Sequence, residues 1–145
     1  MKTVSQLLQQ KGYNIWSIAP YATVYDALEL MADKNIGGVL VMDGENLVGI
    51  LSERDYARKV ILKARFSRDT LVREIMTEKV VCVRPDQSVE ECMALMTDKR
   101  IRHLPVIEGS KVIGVISIGD AVKAVISEQE FIIEQLENYI SGKRS

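Results

Sequence analysis

Two cysteines, one histidine, one tryptophan, two phenylalanines and three prolines are all that 145 residues contain of those types, and the charges nearly cancel, 19 Lys and Arg against 20 Asp and Glu. Each shortage closes a class of function. Cys82 and Cys92 stand in apolar surroundings, Val80-Val81-Cys82-Val83 and Glu91-Cys92-Met93, at no metal-ligand spacing, and the lone His103 cannot complete a ligand set. Buried, reduced thiols are expected, and no metal. With no whole-molecule field and few aromatics to stack on bases, neither nucleic acid nor an anionic membrane is an expected partner. The basic run Lys59, Lys63, Arg65, Arg68 and Arg73 is only local. No apolar run approaches the roughly 20 residues of a spanning helix. Met1-Lys2-Thr3-Val4-Ser5-Gln6 lacks the apolar core of a secretory signal, so the cytoplasm is the expected location.

What the chain does have is a duplication. Residues 20–55 align with residues 85–120 at a constant offset of 65 without a gap, and twelve of the 36 positions are identical. Pro20 meets Pro85, Leu30-Met31 meets Leu95-Met96, and Asp33-Lys34 meets Asp98-Lys99. Self-similarity at a fixed period outranks any local signal in deciding a fold. Each copy closes on the same string, G-x-x-S-x-x-D: Gly49 to Asp55 in the first, Gly114 to Asp120 in the second.

The same order of signals runs through both copies. Thr23-Val24-Tyr25-Asp26 and Ser88-Val89-Glu90-Glu91 have the form of capping boxes that open helices. Val24, Leu28 and Met31 then share one helical face, as do Val89, Met93 and Met96. Strands are predicted at Val39 to Met42 and Leu104 to Ile107, hairpin turns at Asp43-Gly44 and Glu108-Gly109-Ser110, and returning strands at Leu47 to Leu51 and Val112 to Ile116. Second helices start near Ser52 and Ser117. An N-terminal amphipathic helix carrying Val4, Leu7 and Leu8 is expected to stop left-handed at Gly12. The last helix should run from Asp120 to about Ile140, with Ile126, Ile133, Leu136 and Ile140 as a stripe that covers the module's base or meets a partner. The expected segments are a helix over 1–13, the first repeat over 14–64, a connector over 65–78, the second repeat over 79–126, and a C-terminal helical extension over 127–145.

Paired copies ordered strand, helix, strand, strand, helix, closing on G-x-x-S-x-x-D and containing a string such as Ile101-Arg102-His103-Leu104-Pro105-Val106, resemble CBS domains, and two in tandem resemble the pair called a Bateman module. The resemblance runs from about Ile15 to Ile126. It implies an α/β (α+β) fold of two tandem β-α-β-β-α repeats packed with pseudo-twofold symmetry, plus N- and C-terminal helices. It also implies a homodimer, and clefts between the repeats that bind adenosine-containing ligands such as AMP, ADP, ATP, NAD(H) or S-adenosylmethionine. Most such modules are regulatory appendages of enzymes, channels or transporters; with no room for an effector domain, this chain resembles the stand-alone members, acting on an unidentified regulated protein.

The residues themselves allow two readings of the shared string. Ser52 and Ser117 fall where a strand hands over to a helix, so unpaired amides and the positive end of the helix dipole could meet a phosphate, while Asp55 and Asp120 could accept from ribose hydroxyls. S-x-x-D is equally a plain helix cap. The resemblance implies composite sites. Around Asp55 it gathers Ser52, Thr77, Val80, Val81, Ile101, Arg102, His103 and Pro105, with Arg54 and Arg58 as cations for a phosphate. Around Asp120 it gathers Ser117, Ile15, Ser17, Ile36 and Val39, with Arg102 reaching toward the phosphate. The copies are unequal: Arg102-His103 stands where the first has Gly37-Gly38, and Glu53-Arg54 where the second has Ile118-Gly119. The Asp55 cleft is therefore expected to bind more tightly.

Catalysis is not expected. His103, Ser117 and Asp120 are the only set that could imitate a nucleophilic triad, yet the serine and aspartate recur in the first copy without a histidine. No G-x-S-x-G, G-x-x-x-x-G-K-S/T or G-x-G-x-x-G occurs, and Gly109 to Gly114 has only the glycine spacing of a phosphate loop. The expected function is an adenine-nucleotide sensor, AMP first and then NAD(H), ATP or ADP. The alternative is an interaction and dimerisation module whose clefts are vestigial and whose last helix does the work.

Overall fold

The computed structural model describes residues 2–140; Met1 of the expected first helix and residues 141–145 of the expected extension lie outside them. In chain order the elements are α1 (Val4–Lys11), β1 (Ser17–Ile18), α2 (Val24–Lys34), β2 (Gly38–Asp43), β3 (Asn46–Ser52), α3 (Glu53–Tyr56) continued by a wider turn over Ala57–Ile61, α4 (Val72–Ile75), α5 (Val89–Lys99), β4 (His103–Glu108), β5 (Lys111–Ser117) and α6 (Ile118–Ile140). These are two tandem β-α-β-β-α repeats with flanking helices. Among the described residues no helix is long and apolar enough to cross a membrane.

The chain divides into two compact units. One comprises Asn14–Cys82 with Gly109–Val112; the other comprises the residues up to Tyr13, Val83–Glu108 and the residues from Ile113 on. In the first, β1 runs parallel to β2 (Ser17↔Leu40, Ile18↔Val41). β2 pairs antiparallel with β3 from Gly38↔Ser52 to Asp43↔Asn46, with a shift between Val41 and Met42. Val24, Ala27 and Met31 of α2 close over Val39, Val41 and Leu51 of the sheet, joined by Val60, Val72 and Ile75. Each fully buried Val, Leu, Ile or Met among them contributes about 1.5–3 kcal/mol. In the second unit β4 pairs with β5, and the short first strand shrinks to one parallel bridge, Val83↔Val106, which is Ile18↔Val41 displaced by 65. Val89, Cys92, Met96, Leu104, Val106 and Ile116 are buried there.

Local chemistry explains the ends. Thr23 caps α2 with a complete box: its hydroxyl accepts the Asp26 amide, and Asp26 accepts the Thr23 amide. The matching box at Ser88 is only half formed, contrary to expectation. Ser88 accepts the Glu91 amide at 3.1 Å, but the Glu91 carboxylate takes the Ser88 hydroxyl and the Gln87 side-chain amide instead. α2 and α5 both end on a left-handed residue, Asn35 and Arg100. Gly12 caps α1 through its N–H to Leu8, but at φ 106° and ψ 169°, an extended glycine-only conformation rather than the expected left-handed helical one. Cys92 is buried as expected, while Cys82 is only half-buried. α6 begins at Ile118, near Ser117 as expected, because Ser117 ends β5 directly.

The least anticipated feature is the role of α1. Thr3 bridges Ser88 as Leu71 bridges Thr23. The Val4 and Ser5 amides donate to Gln87 and Pro85 carbonyls at 2.8 and 2.9 Å, as Val72 and Arg73 donate to Ala22 and Pro20 at 2.8 and 3.0 Å. Val89 N–H reaches Lys2 O just as Val24 N–H reaches Thr70 O. Residues 3–8 are thus the structural counterpart of residues 71–76. Each short helix precedes one repeat in sequence and belongs to the compact unit of the other.

Candidate functional site

The two G-x-x-S-x-x-D strings form matching clusters, one in each unit. In the first, Ser52 ends β3; its amide and hydroxyl donate to Asp55 Oδ2 at 3.0 and 3.1 Å, and its Oγ accepts the Asp55 amide at 3.2 Å. Asp55 Oδ1 accepts the Thr77 hydroxyl at 3.3 Å and lies 3.2 Å from Lys59 Nζ. Lys59 is anchored further by the Ile75 carbonyl at 2.9 Å. Thr77 is held in turn by paired backbone bonds with Ile50. In the second, the Ser117 amide donates to Asp120 Oδ2 at 2.9 Å, and Ser117 Oγ accepts the Asp120 amide at 3.2 Å. The counter-ion here comes from 109 residues earlier: Lys11 Nζ lies 2.6 Å from Asp120 Oδ2 and donates also to the Val115 carbonyl.

The plain helix cap is therefore real at both places, and it holds each carboxylate in a fixed orientation. A carboxylate has about four lone-pair sites, so capping does not exhaust it. In the second cluster, burial pushes the Asp120 carboxyl up, but hydrogen bonds from Lys11 and Ser117 outweigh it and hold the group below its ordinary value. Burial pushes the His103 imidazole down, Lys11 and Arg102 push the same way, and Asp120 opposes them. His103 is thus within the field of Lys11, Asp120 and Arg102. Cys92 is pushed up to about 11, by burial first and then by Glu91 and Glu90, which keeps it a thiol. Among the described residues no group of three His, Cys, Asp or Glu could hold a metal.

Of the predicted site residues, the first unit holds Ser52, Arg54, Asp55, Arg58, Thr77, Val80, Val81, Ile15, Ser17, Ile36 and Val39. The second holds Ile101, Arg102, His103, Pro105, Ser117 and Asp120. Ser52, Asp55 and Thr77 are in direct contact, as are Ser117 and Asp120. Arg54 and Arg58 are exposed; Val80, Val81 and Ile36 are half-buried. Val39 and Pro105 are buried, Val39 in the first unit's core and paired with Leu51, and Pro105 with its carbonyl accepting the Val83 amide at 3.0 Å. Arg102 is tied in through its backbone, its carbonyl accepting the Ile118 amide at 2.9 Å as the Gly37 carbonyl accepts that of Glu53 at 3.1 Å. Sequence reasoning missed both lysines. Lys59 stands four residues beyond Asp55 and carried a readable i,i+4 signal; Lys11 carried none.

Comparison with known proteins gives the constellation its context. The profile of the CBS domain matches residues 5–62 and 72–127, so each match opens in one of the two equivalent short helices. The chain is 43% identical over 150 residues to the CBS domain-containing protein CBSX3, mitochondrial, of Arabidopsis thaliana, spanning 97% of this chain and 72% of that one. It is 31% identical over 104 residues to the CBS domain-containing protein YhcV of Bacillus subtilis, spanning 72% and 74% respectively. Among solved structures, a CBS-domain protein from Burkholderia ambifaria superposes with a TM-score of 0.85 at 55% identity, covering 88% of this chain and 96% of that one. The CBS-domain protein ATU1752 from Agrobacterium tumefaciens gives 0.80 at 34% identity, covering 84% and 92%.

Proposed function

Because the chain belongs to the CBS-domain family, a family of regulatory rather than catalytic modules, we propose that it senses an adenosine-containing nucleotide and passes occupancy to a partner protein as a change of conformation. AMP is the first candidate, followed by NAD(H), ATP and ADP. The observation that carries this reading is the recurrence of one serine–aspartate cluster in both units, each aspartate fixed by its cap and each provided with a lysine. A cap alone needs no lysine on its carboxylate. An ionised carboxylate of fixed orientation suits a ribose diol, and neighbouring cations suit a phosphate. In the first unit the ribose is assigned to Asp55, the base to the side of Thr77, Val80 and Val81, and the phosphate to Arg54 and Arg58.

The exposed apolar residues of α6, among them Ile126, Ile133, Leu136 and Ile140, favour a second reading in which the module acts by association, with itself as a homodimer or with another protein. Calorimetric titration of AMP, ADP, ATP, NAD, NADH and S-adenosylmethionine into the wild type, Asp55→Ala and Asp120→Ala separates the two. The sensor reading expects saturable binding of one ligand, lost in one variant and kept in the other. Each substitution removes only the side-chain half of a capping box, and the serine keeps its bond from the backbone amide, so both variants should remain folded. No heat from any of the six would reduce the clusters to caps and leave association through α6 as the function.

A further inference from the structure

We propose that Lys11 sets the ligand preference of the Asp120 cluster, admitting nucleotides that carry a phosphate and rejecting the bare nucleoside; this rests on the nucleotide reading above. The two units make an unequal pair of contacts. In the first unit the Ile50 carbonyl accepts the Thr77 amide, and the Thr77 hydroxyl reaches Asp55 at 3.3 Å. In the second unit the equivalent Val115 carbonyl and Asp120 are both engaged by the ammonium group of Lys11, at 2.6 Å from the carboxylate. A cation does there what a neutral threonine does in the other copy.

The lysines also differ in setting. Lys59 is 44% exposed, sits on the same helical stretch as its aspartate at 3.2 Å, and is held also by the Ile75 carbonyl. Lys11 is 34% exposed and is tied to the end of α1, with Asp120 only 25% exposed. A ribose diol approaching Asp120 competes with an ammonium group in direct contact with Oδ2, in a neighbourhood already holding His103 and Arg102. The displaced charge needs an anion within its reach. A nucleoside monophosphate carries one on the same molecule; adenosine does not.

The test compares AMP with adenosine by calorimetry in the Asp55→Ala protein, which leaves the Asp120 cluster as the working site, and in the same protein with Lys11→Met or Lys11→Arg added. The expected preference for AMP is about tenfold or more, the scale of one charge-assisted hydrogen bond. Lys11→Met should bring the ratio close to one, with adenosine binding tighter and AMP weaker, while Lys11→Arg should keep it. Lys11→Gln replaces Lys11→Met should the latter not fold. An unchanged ratio in the neutral variant overturns the proposal and leaves the sensor reading intact. Failure of both ligands to bind the Asp55→Ala protein also overturns it, and the sensor reading then stands or falls on whether the wild type binds AMP.

Discussion

A methyl group added to Gly49 would lie 2.7 Å from Met76 Sδ and 3.0 Å from the Thr77 carbonyl oxygen, whereas at the equivalent Gly114 its nearest contacts are side-chain atoms of Leu8, the closest at 2.8 Å. Backbone cannot step aside as a side chain can, so the two substitutions should differ. Gly49→Ala is expected to cost about 1–3 kcal/mol and Gly114→Ala less; urea denaturation of both variants gives the ranking, and the reverse order would refute the packing argument. The second cluster makes a prediction about pH. His103 is held below its ordinary value of 6.5, so its contribution to stability is complete above that value and lost as pH falls toward the folded one. Asp120, also depressed, keeps its contribution until pH falls through the carboxylate range. Acid should therefore weaken this unit in two stages. As the sole histidine, His103 gives an unambiguous imidazole resonance. Its NMR titration midpoint should lie below 6.5 and rise in Lys11→Met; a midpoint indifferent to that change would remove Lys11 from its surroundings.

At the scale of elements, the decisive fact is that α1 and α4 are equivalents with exchanged allegiances. Deleting residues 2–13 should strip amide-exchange protection from α5, β4 and β5 while α2, β2 and β3 keep theirs, since α1 belongs to the former unit and α4 to the latter. Uniform loss of protection would contradict this. The capping box at Thr23, both hairpins and the apolar faces of α2 and α5 were legible in the sequence because their causes are local, within four residues. So was the serine–aspartate string of both clusters. The kinship of α1 with α4 was not: its offset is 68 rather than 65, and it is expressed by few pairs, Val4 and Val72, Gln6 and Glu74, Leu7 and Ile75, Leu8 and Met76, Lys11 and Lys79. Such similarity acquires meaning only from the hydrogen bonds to Gln87 and Ala22 that the fold supplies. For the same reason Lys11 could not be assigned to Asp120 from the sequence, while the half-closed box at Ser88 shows a local rule yielding to the side chains around Glu91.

For the whole molecule, a single helix joins the proposed sensing and reporting ends of one unit. α6 carries Asp120 in its first turn and continues for 23 residues, about 34 Å at the usual rise, with apolar side chains exposed along its length. The other unit has no such helix, since its equivalent ends at Ile61. The exchanged helices also fix the order in which the chain can be completed as it is made. Residues 14–82 emerge as a nearly continuous unit and can settle while synthesis continues. α1 leaves the ribosome before both units are complete, and the residues that satisfy Val4, Ser5 and Lys11 follow some 80 to 110 positions later. At about 5–20 residues per second, the apolar face of Val4, Leu7 and Leu8 waits for several seconds without its partner, and over that interval it needs shelter.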